Sequence, residues 1–223
     1  MCLGGSRSVP TSQPLVRAGG DRTPAASTAL QCLRDLGRIE AGHKALIVGA
    51  SGGVETFAVQ IAKSLDAEVT GVCSMRNVHI VRSLGADYII NYTQQDFTQS
   101  GQRYDLIFQL AGTRSPSDCR RALIPSGTLV LSSGESDGRW IGPVDRVMKA
   151  LVRSLFVSQK MVGFTVKPNK EDRRFLKQFA ETGTLTPVID RTYPLAETPR
   201  AIRYLEEGHA RGKVVVTVRQ RVA

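Results

Sequence analysis

Residues 44–65 read Lys-Ala-Leu-Ile-Val-Gly-Ala-Ser-Gly-Gly-Val-Glu-Thr-Phe-Ala-Val-Gln-Ile-Ala-Lys-Ser-Leu. The apolar run Ala45, Leu46, Ile47, Val48 is too short for a helix and the right length for a buried parallel strand. The small residues of 49–53 break that run. Val54, Phe57, Ala58, Ile61, Ala62 and Leu65 then recur at the spacing that lines one face of a helix. A strand, a tight turn and a helix aim backbone N–H groups and the positive end of a helix dipole at an anion, most often a pyrophosphate. The glycines match the dinucleotide pattern only in part. In the G-x-G-x-x-G register the positions are Ala50, Gly52 and Glu55, and in the G-x-x-G-x-x-G register they are Gly49, Gly52 and Glu55. Spacing alone fits a dinucleotide turn and a plain strand-to-helix turn equally well.

Working outward, strand and helix alternate. A helix over 28–36 precedes the first strand, with Leu30, Leu33 and Leu36 at threefold spacing. After the central unit, strands are predicted over 68–73, 87–92, 104–110, 127–132 and 160–166. Helices are predicted from the cap Asn77 to Leu84, over 117–123, over 144–156 with Val147, Leu151 and Leu155 inward, and over 171–182. Gly85 ends the first of these helices in a left-handed position, and Asp66 stands at a corresponding helix end. Six strands with helical crossovers make an α/β, doubly wound parallel sheet of the Rossmann type, whose ligands bind at the carboxyl ends of the strands. The tail repeats the pattern once more: a strand over 188–193, a helix over 197–207 and a strand over 214–218, with Gly208 and Gly212 framing the last turn.

Composition bounds the function. The chain has 223 residues, 41% of them hydrophobic, and no run approaches the roughly 18 apolar residues of a membrane span. Cys2, Cys32, Cys73 and Cys119 form no C-x-x-C pair, and His43, His79 and His209 are far apart, so neither a disulfide framework nor a metal site is predicted. A reducing, cytoplasmic location is the expectation. The formal charge is +10, and residues 144–180 hold nine Lys/Arg against three Asp/Glu. That stretch lacks interleaved aromatics or a recognition motif, so it reads as a solvated basic face, with no nucleic-acid and no membrane partner. Residues 1–25 mix Gly, Pro, Ser, Thr and Arg without periodicity, which predicts a disordered stub. Arg7, Arg17 and Arg22 match an organelle presequence in charge, but the Gly and Pro content works against its amphipathic helix.

The segments 49–54 (Gly-Ala-Ser-Gly-Gly-Val), 58–63 (Ala-Val-Gln-Ile-Ala-Lys), 84–87 (Leu-Gly-Ala-Asp), 104–107 (Tyr-Asp-Leu-Ile), 127–130 (Gly-Thr-Leu-Val) and 209–213 (His-Ala-Arg-Gly-Lys) occur in an order and spacing that resembles the zinc-independent, quinone oxidoreductase-like branch of the medium-chain dehydrogenase/reductases. The resemblance runs from about Ala25 to Val218. It implies an NADP-binding Rossmann domain over 26–186 and a strand–helix–strand remnant of a GroES-like catalytic domain over 187–223. It also implies NADP(H) as cofactor and hydride transfer to a small carbonyl or quinone substrate. By matching position, Ser51, Gly52, Gly53 and Val54 would hold the pyrophosphate through N–H groups, while Ser74, Arg76 and Tyr92 would meet the adenosine 2′-phosphate. Arg76 carries a second argument, since an acid at the end of the second strand would bond a bare ribose and repel a phosphate. Its alternative is an ordinary solvated arginine, and that of Tyr92 a half-buried strand-end aromatic. Ala111, Gly112, Ser132 and Ser133 would line the path to the nicotinamide. Phe164, Thr165 and Val166 would face its carboxamide, and His209, Ala210 and Arg211 would close over the cofactor. Sheet pairing through the sixth strand implies a homodimer.

This chain departs from the family pattern. The resemblance implies a GroES-like domain of roughly a hundred residues ahead of the position of Ala25, where the expectation from this sequence is only a disordered stub over 1–25. Glu55 replaces the third glycine and sets a carboxylate near the diphosphate position, and no residue can be named as a proton donor. Two function classes follow: an NADPH-dependent oxidoreductase, or a non-catalytic Rossmann remnant serving as a nucleotide-binding or dimerisation module.

Overall fold

The computed structural model describes residues 24–110, 114–131 and 158–218. Six parallel strands form one sheet: β1 Lys44–Val48, β2 Glu68–Cys73, β3 Tyr88–Asn91, β4 Tyr104–Gln109, β5 Leu123–Leu131 and β6 Lys160–Gly163. Their order is β3-β2-β1-β4-β5-β6, so the order in which strands are added reverses between β1 and β4, the topological switch point where doubly wound sheets bind ligands. The helices are α1 Pro24–Leu30, α2 Glu55–Ser64, α3 Val78–Ser83, α4 Pro116–Arg121, α5 Lys170–Glu181 and α6 Thr198–Glu206. A second sheet pairs β7 Ile189–Pro194 with β8 Lys213–Thr217 in parallel, with α6 as the crossover.

Alternation along the strands produces two cores. Ala45 and Ile47 of β1 join Val69, Leu106, Phe108 and Val130 on the face covered by α1 and α2. Leu46 and Val48 join Val72, Ile107, Leu129 and Met161 on the opposite face, with Phe97 and Cys119. Of the stripe predicted for α2, Phe57, Ala58, Ile61 and Ala62 are buried and the flanking Val54 and Leu65 half-buried, but Thr56, Val59 and Gln60 on its other sides are buried too. The helix is enclosed because the segment leading to β7 wraps it: Gln60 Nε2 donates to Thr186 O at 2.9 Å and Thr186 N donates to Gln60 Oε1 at 2.8 Å.

Several boundaries differ from the sequence-based expectation. The first helix begins at Pro24 and continues as a π-helical turn, Gln31–Leu36, so the last residues of the segment read as a disordered stub are helical. Residues 1–23 and the helix predicted over 144–156 lie outside the described residues. Asn77 makes no cap bond to α3, and β6 ends at Gly163, ahead of the predicted 166. Asp66 and Gly85 do adopt the left-handed conformation, with φ of 58° and 102°.

The π-helical turn is fastened by a charge cluster. Asp172, 1% exposed, donates its backbone N to Asn169 Oδ1 at 2.7 Å as the capped residue of α5, and its carboxylate accepts from Arg34 Nη2 at 2.7 Å, Gln31 Nε2 at 2.6 Å and Asn169 Nδ2 at 2.7 Å. Burial opposes its ionisation, but the bonds from Gln31 and Arg34, with the Arg34 charge and Asn169, outweigh burial and hold the carboxyl below its usual range. Folding therefore lowers this pKa, so the contribution is present above about pH 4 and is lost as pH falls through the lower folded value. In urea unfolding, the deficit of Asp172→Asn relative to wild type is expected to be about 2 kcal/mol at neutral pH, with Arg34 partly solvated, and to shrink in acid. A deficit that does not change with pH would assign the role of Asp172 to shape alone.

Candidate nucleotide site at the strand ends

The turn after β1 is built by backbone. Gly49 N and Ala50 N both donate to Val72 O, at 3.0 and 2.9 Å, which locks the exit of β1 to that of β2. Gly52 N closes the turn on Gly49 O at 2.8 Å, and α2 opens at Glu55. Ser51 is buried, and its Oγ accepts from Asn77 Nδ2 at 2.8 Å, joining the first crossover to the second. Tyr92 N donates to Cys73 O at 3.2 Å, which brings the exit of β3 alongside. The tail completes the group, because Gly212 N donates to Ser51 O at 2.9 Å and so sets His209, Ala210 and Arg211 next to the turn. Arg211 N is held in turn by Asp190 Oδ2 at 3.0 Å.

Ser51, Gly52, Gly53 and Val54, then Ser74, Arg76 and Tyr92, then His209, Ala210 and Arg211 are thus gathered at one end of the sheet. Arg76 and Tyr92 are exposed there, and Ser74 is half-buried. Phe164, Thr165 and Val166 instead line a recess of about 100 Å³ with Gln31, Cys32, Asp35 and Leu36. Ala111, Gly112, Ser132 and Ser133 lie outside the described residues.

Glu55 alters the turn. Its side chain is 5% exposed and folds back, so that Val54 N donates to Glu55 Oε2 at 3.3 Å and a Cβ placed on Gly52 would collide with the same oxygen. Two of the four amides expected to hold a pyrophosphate, those of Gly52 and Val54, therefore already have protein acceptors.

Three residues were not legible as site residues in the sequence. Asn77, in the crossover that follows β2, and Asn91, at the end of β3, are 7% and 8% exposed, and Asn77 Oδ1 and Asn91 Nδ2 have no hydrogen-bond partner among the described residues. An orphaned buried amide atom costs about 1–3 kcal/mol, and two of them at adjacent strand exits suit a ligand with both donors and acceptors. Lys213 lies over the turn, with Nζ 3.1 Å from where a Cβ on Gly53 would stand. Its only signal was membership of the His-Ala-Arg-Gly-Lys segment.

Burial, reinforced by Asp35 and Asp118 respectively, pushes the Cys32 and Cys119 thiols up to about 12, and burial also raises that of Cys73. Among the described residues no three His, Cys, Asp or Glu side chains converge on a point, and no helix is long and apolar enough to cross a membrane.

A family profile described as zinc-binding dehydrogenase matches residues 84–216. The chain is 37% identical over 194 residues to the mitochondrial NAD(P)H oxidoreductase RTN4IP1 of Mus musculus, covering 79% of this chain and 48% of that protein. It is 30% identical over 198 residues to the chloroplast envelope quinone oxidoreductase homolog of Arabidopsis thaliana, covering 85% and 58%. The solved quinone oxidoreductase from Coxiella burnetii superposes with a TM-score of 0.74 at 29% identity, covering 88% of this chain and 59% of the other. The chain thus spans about half the length of the curated relatives it matches.

Proposed function

The chain belongs to the zinc-binding dehydrogenase family of medium-chain dehydrogenase/reductases, and from that premise we propose that it is the NADPH-binding part of an oxidoreductase that reduces a quinone or an enone. The observation that carries the reading is the pair of orphaned amide atoms, Asn77 Oδ1 and Asn91 Nδ2, beside a glycine turn at the switch point of a Rossmann sheet. The family description names zinc, but the described residues supply no converging ligand set that fits it.

The residues fit a dinucleotide better. The remaining amides of the turn would meet the diphosphate, Asn77 and Asn91 would bond polar groups at the adenosine end, and Arg76 would pair with a 2′-phosphate. A bound nicotinamide supplies the hydride, while these side chains bind and orient the carrier. A homodimer through the edge strand β6 and a reducing, cytoplasmic setting complete the proposal, although the relatives named above are mitochondrial or of the chloroplast envelope. A second reading, a nucleotide-binding or dimerisation module without turnover, is favoured by one observation, the Glu55 carboxylate lying over Gly52.

Fluorescence titration of NADPH and NADH tests the main reading. Binding is expected to be tighter for NADPH, and Arg76→Ala is expected to weaken NADPH about tenfold, the value of one charge-assisted bond, while leaving NADH nearly unchanged. Equal loss for both nucleotides would remove Arg76 from phosphate recognition, and absence of binding to either would remove the dinucleotide site.

A further inference from the structure

At the start of β8, Gly212 N donates to Ser51 O at 2.9 Å and Lys213 N donates to Val188 O at 2.7 Å, so the backbone carrying the Lys213 side chain is fixed against the glycine turn. That side chain is half-buried and runs over Gly53, with Nζ 5.9 Å from the centroid of the Phe57 ring beneath. Burial pushes the Lys213 ammonium below its ordinary pKa, and the Glu55 carboxylate opposes that shift. Glu55 reaches the same turn from the helix side, taking Val54 N at 3.3 Å and filling the space above Gly52.

A partly desolvated ammonium on one side and a turn amide that already holds an anionic oxygen on the other are the two halves of a diphosphate site. We propose that Lys213 binds the diphosphate of the cofactor and that the Glu55 carboxylate is its intramolecular stand-in, which an incoming diphosphate must displace. The proposal rests on the dinucleotide reading of this turn. Lysine suits the exchange, because a compact ammonium on a flexible stem can swing from one anion to another without the fixed fork geometry of arginine. Affinity is then set by a competition inside the protein as well as by contacts to the ligand.

The test uses the full chain with NADPH followed by fluorescence and, separately, inorganic pyrophosphate followed by thermal melting. Glu55→Gln keeps shape and removes charge, and is expected to tighten NADPH about tenfold. Lys213→Met is expected to weaken it about tenfold, and Lys213→Arg to restore most of the loss. Melting of each variant without ligand checks that the fold is kept. An unchanged affinity in either Glu55→Gln or Lys213→Met overturns the proposal while leaving the dinucleotide reading in place. If no variant binds NADPH, pyrophosphate decides. Stabilisation of Glu55→Gln beyond wild type, absent in Lys213→Met, keeps the diphosphate seat and discards the dinucleotide reading, and three indistinguishable responses discard both.

Discussion

Phe57→Ala is expected to lower the unfolding free energy by about 3–5 kcal/mol, a large part of what a domain of this size commonly has. Phe57 is 1% exposed in the first turns of α2, and its ring is among the largest fully buried side chains of the core that includes Ala50 and Ile61. The packing leaves no neighbour free to fill the void, because α2 is enclosed on all sides by the sheet, by α1 and by the segment that Gln60 binds. The effect should extend to function, since the Lys213 ammonium lies over the same ring. Chemical unfolding would show a lower midpoint with little change in slope, and Phe57→Leu, which keeps more of the volume, would lose less. A loss under about 1 kcal/mol for the alanine variant would mean that α2 is not the packed centre described here.

Gly212→Val is expected to release the tail while sparing the six-stranded sheet. Gly212 has φ of 89°, a left-handed conformation costing a side chain about 1–2 kcal/mol, and a Cβ there would collide with Val188 O. The backbone would have to give up Gly212 N to Ser51 O, Lys213 N to Val188 O, or both. Overpacking of about 1–3 kcal/mol added to that conformational cost exceeds the roughly 1–3 kcal/mol that these two bonds return, so residues 187–218 should open locally. Limited proteolysis would then cut ahead of β7, and NADPH affinity would fall because Lys213 leaves the turn. Gly208→Ala is the control: φ is 69°, but a Cβ there meets nothing within 4 Å, so only the conformational cost of about 1–2 kcal/mol applies. Identical proteolysis of the two variants would sink the docking role of Gly212.

Much of the site was legible because it depends on local chemistry. A run of four apolar residues followed by small ones can only leave a buried strand by a tight turn, and that placed Ser51 to Val54 at a helix start. The absence of an acid at the exit of β2 singled out Arg76 in the same way. Asn77 stands at the N-cap of α3, as Asn before a helical stretch commonly does, but its side chain makes no cap bond. Here its amide is drawn to Ser51 Oγ, 26 residues earlier in the chain. The segment 160–166 read as one strand, yet pairing with β5 stops at Gly163, where the recess lined by Gln31 and Cys32 begins.

By itself, then, the sequence determined the succession of strands and helices, the parallel sheet and the glycine turn at its centre, because periodicity and turn preference act over a few residues. Tertiary structure alone decided that Glu55 folds back over Gly52, that Lys213 lies across Gly53, and that Asp172 gathers Gln31 and Arg34 from 141 and 138 residues away. Those placements depend on which surfaces meet after the chain has closed, and on burial that makes an unpartnered polar group costly, and neither has a signature in neighbouring residues.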